Sequence, residues 1–431
     1  MLHINSLGSQ AAPPLDSLLE AVQRRTFEYF WSGCHSVTGL PFDRCVFDGP
    51  SANGIVSIGG VGFGALAIVI GVERRWITRS EGLARLSAIL GHLGGTERFR
   101  GAFPHFIDGD TGRAIPFSKF DDGADLVETT LLLQGLICAR EYFDGNGFEE
   151  ITLRRRLTLI YDAVEWNWFT RGDHRALFWH WSPNHGWAMN VPITGWNEAL
   201  SSYILAAGSE TFPITTDVYD FGWSGGGRIS NGREYHGIRL PLGEPFGGPL
   251  FLSQYTFCVL DPRGLSDRHC EYLDQIQAHT RINYAHCMEV PAYREGDFWG
   301  LTAGDGPEGY CINSPLADHG IITLTAAISS FPFAPVEAER ALRAFLSYEG
   351  GRLLGRFGFA DGFQPQTGWV ANTQLAINQG PILAMIENFR SSLLWRLFSS
   401  APEVVRGLNR LKFNQSNHRN EYAKETATYA M

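Results

Sequence analysis

Apolar residues recur at helical spacing in about eleven segments of the chain, and long turn-rich stretches separate these segments. The predicted helices span residues 15–31, 60–72, 80–93, 122–143, 149–168, 197–207, 267–284, 320–330, 336–348, 376–398 and 401–411. Gly, Trp and Asp are concentrated in the connections at 94–119, 169–196, 213–252, 292–318 and 355–375. Because long connections in a compact domain are usually functional, the pattern predicts an all-α fold whose loops build a cleft.

The number of helices favours a particular arrangement. About a dozen helices with elaborate connections predict an (α/α)6 barrel, a double ring of about twelve helices with long functional loops on one end. A two-domain helical protein is the alternative, since no clear internal repeat distinguishes the two. Two local signals support helix starts: Thr78-x-x-Glu81 is a capping box, and Pro335 stands where a first-turn proline is preferred.

Composition and charge narrow the class of protein. No linker divides the 431 residues, so we predict an N-terminal tail at 1–14, one catalytic domain at 15–413 and a polar C-terminal tail at 414–431. The net charge of −10 argues against a nucleic-acid or anionic-membrane partner. The longest apolar stretch, 61–72, is too short to span a bilayer. A neutral small molecule or polysaccharide fits this composition better.

Compartment and redox state are less constrained. Residues 1–15 lack the basic start and apolar run of a secretory signal, which predicts a cytoplasmic protein, or a periplasmic or secreted one if a signal was removed. The seven cysteines are odd in number and have no CxxC spacing. We therefore expect neither a disulfide framework nor a thiolate zinc site.

Three carboxylates stand at helical spacing before an apolar segment. Asp121, Asp125 and Glu128 lie at i, i+4 and i+7, so a helix over 122–143 would place successive carboxylates about 5–6 Å apart. Like charges at this spacing repel, and crowded carboxylates have pKa values that separate into an acid and a base. The alternative is an acidic helix terminus that only complements the helix dipole. The apolar residues that follow favour a helix that lines a cavity.

Metal ligands are sparse in the sequence. His180 and His185 flank a turn without a third ligand at metal spacing, which argues against zinc. Calcium at Asp121, Asp122 and Asp125 is the alternative that the acidic segment leaves open. We predict no metal and no cofactor.

Tryptophan is strongly clustered. Six of the twelve tryptophans lie within 31 residues of sequence, and these six are Trp166, Trp168, Trp179, Trp181, Trp187 and Trp196. Indole rings stack on sugar rings, so aromatic walls with nearby acids are typical of a glycan cleft. The alternative for about half of them is an aromatic core layer.

Glu198 directly follows this cluster, at the start of the predicted helix 197–207. A carboxylate beside Trp196 in a partly apolar loop has its pKa raised by desolvation, as a general acid for glycoside cleavage requires. The helix N-terminus lowers the pKa instead. With the tryptophans and the acidic segment beside it, Glu198 is the first choice for the proton donor.

Further polar residues lie in Gly-rich loops, where a sugar could approach the backbone. Asp305 and Asp361 precede glycines and could equally be turn residues. Glu387 could form a structural ion pair with Arg390 at i, i+3. Each of these signals is weak by itself.

Several linked motifs, in order along residues 16–413, resemble glycoside hydrolase family 144. They are Asp-Asp-Gly-Ala-Asp-Leu-Val-Glu-Thr at 121–129, His-Trp-Ser-Pro-Asn-His-Gly-Trp at 180–187, Gly-Trp-Asn-Glu at 195–198, Gly-Gly-Pro-Leu-Phe at 247–251, Asp-Pro-Arg-Gly at 261–264, Trp-Gly-Leu-Thr-Ala at 299–303, and Gln-Gly-Pro at 379–381 with Ile-Glu-Asn-Phe-Arg at 386–390. The resemblance implies an (α/α)6 barrel that cleaves β-1,2-glucan with inversion. It implies an endo-β-1,2-glucanase that yields short sophoro-oligosaccharides, or an enzyme that releases sophorose from the non-reducing end.

The resemblance also implies site residues. The family's important acids correspond to Asp121, Asp125, Glu128 and Glu198, with Glu198 as the general acid. One position departs from the family pattern, because Asn378 stands where an Asp is expected before Gln-Gly-Pro. The change could slow the reaction, alter the preferred bond, or transfer the role to Asp361.

The resulting hypothesis is a single displacement by a monomer acting on β-1,2-glucan or sophoro-oligosaccharides. Glu198 protonates the leaving oxygen directly or through a hydroxyl, Asp121 or Asp125 activates water, and Glu128 with Arg263 positions groups around it. The residues expected to bind substrate are Trp179, Trp181, Trp187, Trp196, Asn197, Arg263, Trp299, Asp305, Asp361, Asn378, Gln379 and Glu387. A transglycosylase or phosphorylase, a sugar epimerase using His180 and His185, and a non-catalytic glycan-binding protein are the alternatives.

Overall fold

The computed structural model describes residues 13–47, 49, 53–173 and 175–415 of the chain. Within these ranges α-helices are the main element, as the hydrophobic pattern predicted. They are α1 Leu15–Trp31, α2 Ile58–Glu73, α3 Arg79–Leu93, α4 Leu126–Tyr142, α5 Phe148–Asp162, α6 Leu200–Gly208, α7 Thr216–Val218, α8 Tyr272–Glu289, α9 Pro291–Arg294, α10 Leu324–Ile328, α11 Pro335–Ser347, α12 Ala376–Ser391, α13 Leu393–Ser400 and α14 Pro402–Arg410. The predicted capping box before α3 and the first-turn proline of α11 are both confirmed.

Short antiparallel strands build much of the connecting structure. They are β1 Arg44–Val46, β2 Ile55–Ser57, β3 Phe106–Asp108, β4 Ala114–Ile115, β5 Ala124–Asp125, β6 His180–Trp181, β7 Glu234–Tyr235, β8 Ile238–Arg239, β9 Leu265–Ser266, β10 Ala303–Gly306, β11 Gly309–Ile312, β12 Ile322–Thr323, β13 Leu354–Gly355, β14 Gly358–Phe359, β15 Gly362–Gln364, β16 Trp369–Val370, β17 Thr373–Leu375 and β18 Asn414–Gln415. They pair in twos and threes, such as β2-β3-β4 and β12-β15-β16. The all-α prediction missed them because two to four residues are too few to show an alternating pattern.

Two nearly all-apolar helices, α2 and α4, cross at the centre of the larger core. Their backbones touch at glycines: a Cβ on Gly62 would lie 2.2 Å from the carbonyl oxygen of Leu131, and a Cβ on Gly135 would lie 2.0 Å from that of Gly62. Helix α12 packs against the same side of the bundle through α2. This close packing fixes the position of α4, whose first turn carries Glu128 and whose N-cap is Asp125.

The structure corrects several predicted helix boundaries. The helix predicted at 149–168 ends at Asp162, and the helix predicted at 267–284 begins at Tyr272. The helix predicted at 122–143 begins at Leu126, because Asp125 is extended and belongs to β5, which pairs with β6. The helix predicted at 197–207 begins at Leu200. The helix predicted at 376–398 is two helices, broken where Ser392 takes a left-handed φ of 55°. The prediction that three carboxylates line one helix face is therefore wrong.

The ends of the domain also differ slightly from the prediction. Asn414–Gln415 was assigned to the C-terminal tail, but it pairs with Leu265–Ser266 as β18. Most of the two predicted tails, 1–12 and 416–431, lies outside the described residues. None of the helices in the described ranges has the length and apolarity to cross a lipid bilayer.

Candidate active site

A cavity of about 670 Å³ lies among the loops and receives side chains from β1, β2, β3, α4, β6 and β11. Its lining residues are Asp43, Arg44, Asn53, Ile55, Ser57, His105, Phe106, Phe117, Ser118, Asp121, Asp125, Val127, Glu128, Leu131, Trp179, His180, Met189, Val191, Glu198, Phe251, Tyr255, Tyr310, Ile312, Leu375 and Ile377. The four acids predicted to be catalytic, Asp121, Asp125, Glu128 and Glu198, all line this cavity. They reach it from different backbone elements, not from one helix face.

Asp125 is the most tightly held of these acids. Its Oδ1 accepts hydrogen bonds from the backbone amides of Val127 and Glu128, at 2.9 Å each, and from Trp179 Nε1 at 3.0 Å. It is thus the N-cap of α4 and the anchor of an indole in the cavity wall. Burial raises the pKa of Asp125, but the hydrogen bond from His105 and the charges of His180 and His105 lower it below its usual value overall. This carboxylate stays ionised and orients its neighbours.

His105, on the loop before β3, supplies positive charge to the acids. Its Nδ1 lies 3.0 Å from Asp125 Oδ2 and its Nε2 lies 4.0 Å from Glu128 Oε1. Burial lowers the pKa of His105, but Glu128, Asp125 and Asp121 raise it to about 9. The imidazole is therefore cationic at neutral pH and balances part of the negative charge of the cavity.

Asp121 is buried but keeps one carboxylate oxygen unpaired within the part of the chain that the structure describes. The residue is 4% exposed, and its Oδ1 has no hydrogen-bond partner among the described residues. Its Oδ2 lies 3.5 Å from His180 Nε2. Burial, and then the charge of Asp125, raise the pKa of Asp121 to about 7. A carboxylate with a near-neutral pKa and a free oxygen is suited to take a proton from water.

Glu128 and Glu198 complete the set of acids. Glu128 accepts a 2.6 Å hydrogen bond from the amide of Gly59 in the first turn of α2. Burial raises the pKa of Glu128 to about 7, against the opposing charge of His105. Burial likewise raises the pKa of Glu198 to about 7. Glu198 is held by its backbone, since its carbonyl accepts a 2.7 Å bond from Thr256 Oγ1.

A second polar network borders the cavity. Arg44 lines the cavity and forms an ion pair with Asp305, which also accepts a hydrogen bond from Thr373. Asp361 lies behind Asp305 and accepts bonds from the Asp305 amide at 2.6 Å and from Asn378 Nδ2 at 2.8 Å. Burial, together with the charge of Asp305, raises the pKa of Asp361 to about 7.

This network limits the roles of three residues expected to bind substrate. Asp305, Asp361 and Asn378 are all buried, and none of them lines the cavity. Their carboxylate and amide groups are engaged with one another and with the β10 backbone, since Asn378 Nδ2 also donates to the carbonyl of Ala303 at 3.2 Å. These residues therefore support Arg44 and the β10–β11 hairpin from behind. A sugar could contact them directly only if Arg44 and the hairpin moved away.

The tryptophan cluster divides between cavity and core. Trp179 lines the cavity, whereas Trp181 and Trp187 pack against Trp168 with ring centroids 5.4 and 4.8 Å away. Trp196 is buried against Trp223, Phe257 and Tyr272. Of the four tryptophans expected to bind substrate, Trp179 therefore lines this cavity, whereas Trp181, Trp187 and Trp196 contact other aromatic rings of the protein.

Five further residues expected to bind substrate have structural roles instead. Trp299 is 0% exposed and donates from Nε1 to the carbonyl of Glu337. Arg263 pairs with Asp261 and lies 4.6 Å over Trp395.

The remaining three are also engaged with the protein itself. Asn197 Oδ1 accepts a bond from the Ala199 amide, and Gln379 Nε2 donates to the carbonyl of Phe359. Glu387 is 0% exposed and forms an ion pair with Arg74 at 2.7 Å. The predicted partner of Glu387, Arg390, pairs with Glu20 instead.

Sequence reasoning missed several cavity residues. His105, Arg44 and Tyr255 line the cavity but lie in segments without a recognisable motif. Tyr310 is 51% exposed on β11 at the cavity rim, and Gly309 beside it marked only a turn. For His105, the Phe-Pro-His-Phe context at 103–106 was the one available signal, an isolated histidine between aromatics. The pair of histidines that the epimerase alternative would need does not form, since His185 is exposed and packs against Phe120.

Comparisons with known proteins give a consistent result. The glycoamylase family model, described as "Putative glucoamylase", matches residues 190–402. An exo β-1,2-glucooligosaccharide sophorohydrolase (non-reducing end) from Parabacteroides distasonis is 36% identical over 421 residues, which is 92% of this chain. The chain spans 58% of the length of that curated relative.

Two solved structures are also similar over nearly the whole chain. An endo-β-1,2-glucanase from Chitinophaga pinensis, in complex with sophorotriose and glucose, is 41% identical with a TM-score of 0.90, covering 94% of this chain and 99% of that one. A β-1,2-glucanase from Parabacteroides distasonis is 36% identical with a TM-score of 0.87, covering 94% of this chain and 61% of that one.

Proposed function

Because the chain belongs to glycoside hydrolase family 144, we propose that it hydrolyses β-1,2-glucosidic bonds with inversion at the anomeric carbon. The observation that carries this proposal is a single cavity in which Glu198, Asp121 and Glu128 have pKa values raised to about 7 beside an ionised Asp125. Inverting glycosidases need one protonated and one ionised carboxyl group at the same pH. We also propose that the helices form an (α/α)6 barrel, the arrangement that the resemblance to this family implies.

In the proposed mechanism Glu198 protonates the leaving oxygen. Its carboxylate receives no hydrogen bond from the described residues other than its own backbone amide, so it is available to the substrate. Its raised pKa keeps a large fraction protonated near neutrality. Trp179 and Tyr255 offer aromatic surface on the same cavity for sugar rings. All these groups come from one chain, so we propose that a monomer is sufficient.

Asp121 is the stronger candidate for the base. Asp125 Oδ1 already accepts three hydrogen bonds and its Oδ2 faces His105, which leaves it little capacity to accept a proton. Asp121 keeps a free oxygen on the cavity. Asp125 and His105 would then keep the other groups in position and balance their charge. Glu128 would titrate together with the neighbouring carboxylates.

Replacing Asp121 tests the base. We expect Asp121→Asn to lower kcat on β-1,2-glucan by about 10²–10⁴-fold, because an amide keeps the shape but cannot accept a proton. The measurement is initial rate by reducing-sugar release. Asp122→Asn is the matched control, since Asp122 bonds to Asn184 outside the cavity lining and should leave the rate near wild type. Equal rates for wild type and Asp121→Asn would exclude Asp121 as the base.

The pH dependence follows from the same groups. Glu198 must be protonated, so activity falls as pH rises above its pKa of about 7. Asp121 must be ionised, so activity falls as pH drops below its pKa of about 7. We therefore expect a narrow bell in kcat/KM centred near pH 7, with each limb reaching about tenfold per pH unit. Both groups should titrate within about two pH units of pH 7. A flat profile between about pH 5 and pH 9 would therefore contradict these assignments.

Product analysis tests the function as a whole. Linear β-1,2-glucan, with β-1,3- and β-1,4-glucan as controls, is incubated with wild type and Glu198→Gln, and products are separated by chromatography. We expect a ladder of short sophoro-oligosaccharides from the β-1,2-glucan with wild type alone. Sophorose as the first and main product would support exo action, the second candidate that the Parabacteroides distasonis sophorohydrolase favours. If every glucan stays intact while binding is retained, a non-catalytic glycan-binding role replaces the hydrolase.

A further inference from the structure

Three side chains in the cavity, His105, Asp121 and Asp125, converge closely enough to hold a metal ion, and a fourth, His180, lies beside the two carboxylates. His180 Nε2 lies 3.5 Å from Asp121 Oδ2 and 3.6 Å from Asp125 Oδ2. His105 Nδ1 lies 3.0 Å from Asp125 Oδ2, and ligand atoms of His105, Asp121 and Asp125 all lie within 4.8 Å of one another. A tetrahedral zinc ion with bonds of about 2.0–2.2 Å separates neighbouring ligand atoms by about 3.3–3.6 Å. The two His180 distances match this separation, whereas His105 and Asp125 are at hydrogen-bond distance and would move apart slightly to admit an ion.

The surroundings orient these groups toward one point. Oδ1 of Asp125 is occupied by two backbone amides and the Trp179 indole, so only Oδ2 faces the histidines. The second ring nitrogen of His105 faces Glu128 Oε1 at 4.0 Å. Metal-ligating histidines usually have a carboxylate or carbonyl on the nitrogen opposite the metal. Glu128 lies on the side of His105 where such a carboxylate would be, although 4.0 Å is longer than a hydrogen bond.

An unsatisfied buried atom points to the same place. Asp121 is 4% exposed, yet its Oδ1 has no hydrogen-bond partner among the described residues. A buried carboxylate oxygen without a partner is costly, and a cation near Asp121 would remove that cost. Two imidazoles with two carboxylates favour zinc or a similar transition ion, since calcium and magnesium prefer sites made only of oxygen ligands.

We propose that His105, Asp121 and Asp125, with His180 beside the two carboxylates, bind one divalent transition-metal ion, with Zn²⁺ as the best match, and that this ion inhibits the enzyme. Binding releases the proton that His105 carries at neutral pH. Inhibition follows because a ligated Asp121 cannot take a proton from water and the ion occupies the centre of the cavity. The inhibitory effect rests on the proposed function, whereas ion binding does not. A hydrolase of this kind would lose activity reversibly when free zinc rises.

Binding is tested first, without any catalytic readout. Zinc chloride is titrated calorimetrically into the full chain, and Co²⁺ is titrated while its visible absorption is recorded, because tetrahedral cobalt absorbs strongly. We expect one saturable site in the wild type. His180→Gln and Asp121→Asn should each weaken zinc binding by about tenfold or more. His185→Gln is the matched control, since His185 lies five residues from His180 but outside the cavity, and its affinity should equal that of wild type.

The outcomes separate the two parts of the proposal. No saturable binding, or equal affinity in wild type, His180→Gln and Asp121→Asn, would overturn the site; circular dichroism shows that each variant is folded. Calcium and magnesium chloride should give no comparable heat. Zinc should then suppress release of reducing sugar from β-1,2-glucan, with recovery on adding EDTA. Zinc binding without inhibition would overturn the regulatory part, and an enzyme inactive on every glucan would refute the proposed function while leaving the binding result valid.

Discussion

Glu198→Gln is expected to lower kcat on β-1,2-glucan by about 10²–10⁴-fold with little change in KM, because the amide retains the shape of the side chain but cannot deliver a proton. Burial raises the pKa of Glu198 to about 7, and no described side chain hydrogen-bonds to its carboxylate, so this residue has no evident structural partner to lose. The expected loss is therefore catalytic and not a loss of fold. Kinetics on sophoro-oligosaccharides of defined length provide the measurement.

A substrate with an activated leaving group sharpens this test. An aryl β-sophoroside needs little protonation of its leaving oxygen, so the Glu198→Gln deficit should be much smaller on it than on glucan. Glu210→Gln is the matched control, because Glu210 is exposed, pairs with Arg406 and lies outside the cavity lining. A Glu198→Gln enzyme that turns over glucan at near wild-type rate would remove Glu198 from the role of acid.

Glu387→Ala is expected to destabilise the fold by about 3–5 kcal/mol while leaving KM for glucan unchanged in the enzyme that remains folded. Glu387 is 0% exposed and accepts bonds from Arg74 Nε at 2.7 Å, Arg74 Nη2 at 2.9 Å and Gln23 Nε2 at 3.1 Å. Removing it leaves a partly buried guanidinium without its counter-charge, which is the costly way to break a buried ion pair. Thermal unfolding of wild type and variant measures the loss.

Glu339→Ala provides the comparison for this experiment. Glu339 pairs with Arg343 at i, i+4 on the partly exposed face of α11, where such a pair contributes about 0.3–0.5 kcal/mol. We expect its unfolding temperature to stay close to that of wild type. If Glu387→Ala instead keeps its unfolding temperature and raises KM, Glu387 contacts substrate after all.

The acids at 121–128 were predicted correctly as a group but not in their arrangement. Asp121, Asp125 and Glu128 were singled out because they crowd one short segment, and they do meet in the cavity. Their expected arrangement on one helix face was wrong, since Asp125 ends an extended segment and caps α4. The sequence therefore predicted which acids meet, but not the backbone geometry of the segment. That geometry depends on the pairing of Asp125 in β5 with His180 in β6, 55 residues farther along the chain.

Residues without a local signal required the fold. His105 and Asp125 are 20 residues apart, and Arg44 and Asp305 are 261 apart, so no spacing rule relates them. Conversely, some residues of types common in sugar-binding sites contact other protein groups instead. They are Trp299, Arg263 and Glu387. A side chain's type is given by the sequence, but the direction in which it points depends on contacts between distant segments.

Periodicity, charge and residue type over short stretches were enough to predict most of the long helices, the net negative charge, and the four acids and one tryptophan that line the cavity. Only the folded chain shows which tryptophans face the cavity, which carboxylates are paired, and where His105 and His180 lie relative to Asp121 and Asp125. The physical reason is that pKa values and ligand geometry depend on burial and on distances of a few ångströms between groups that are far apart along the chain.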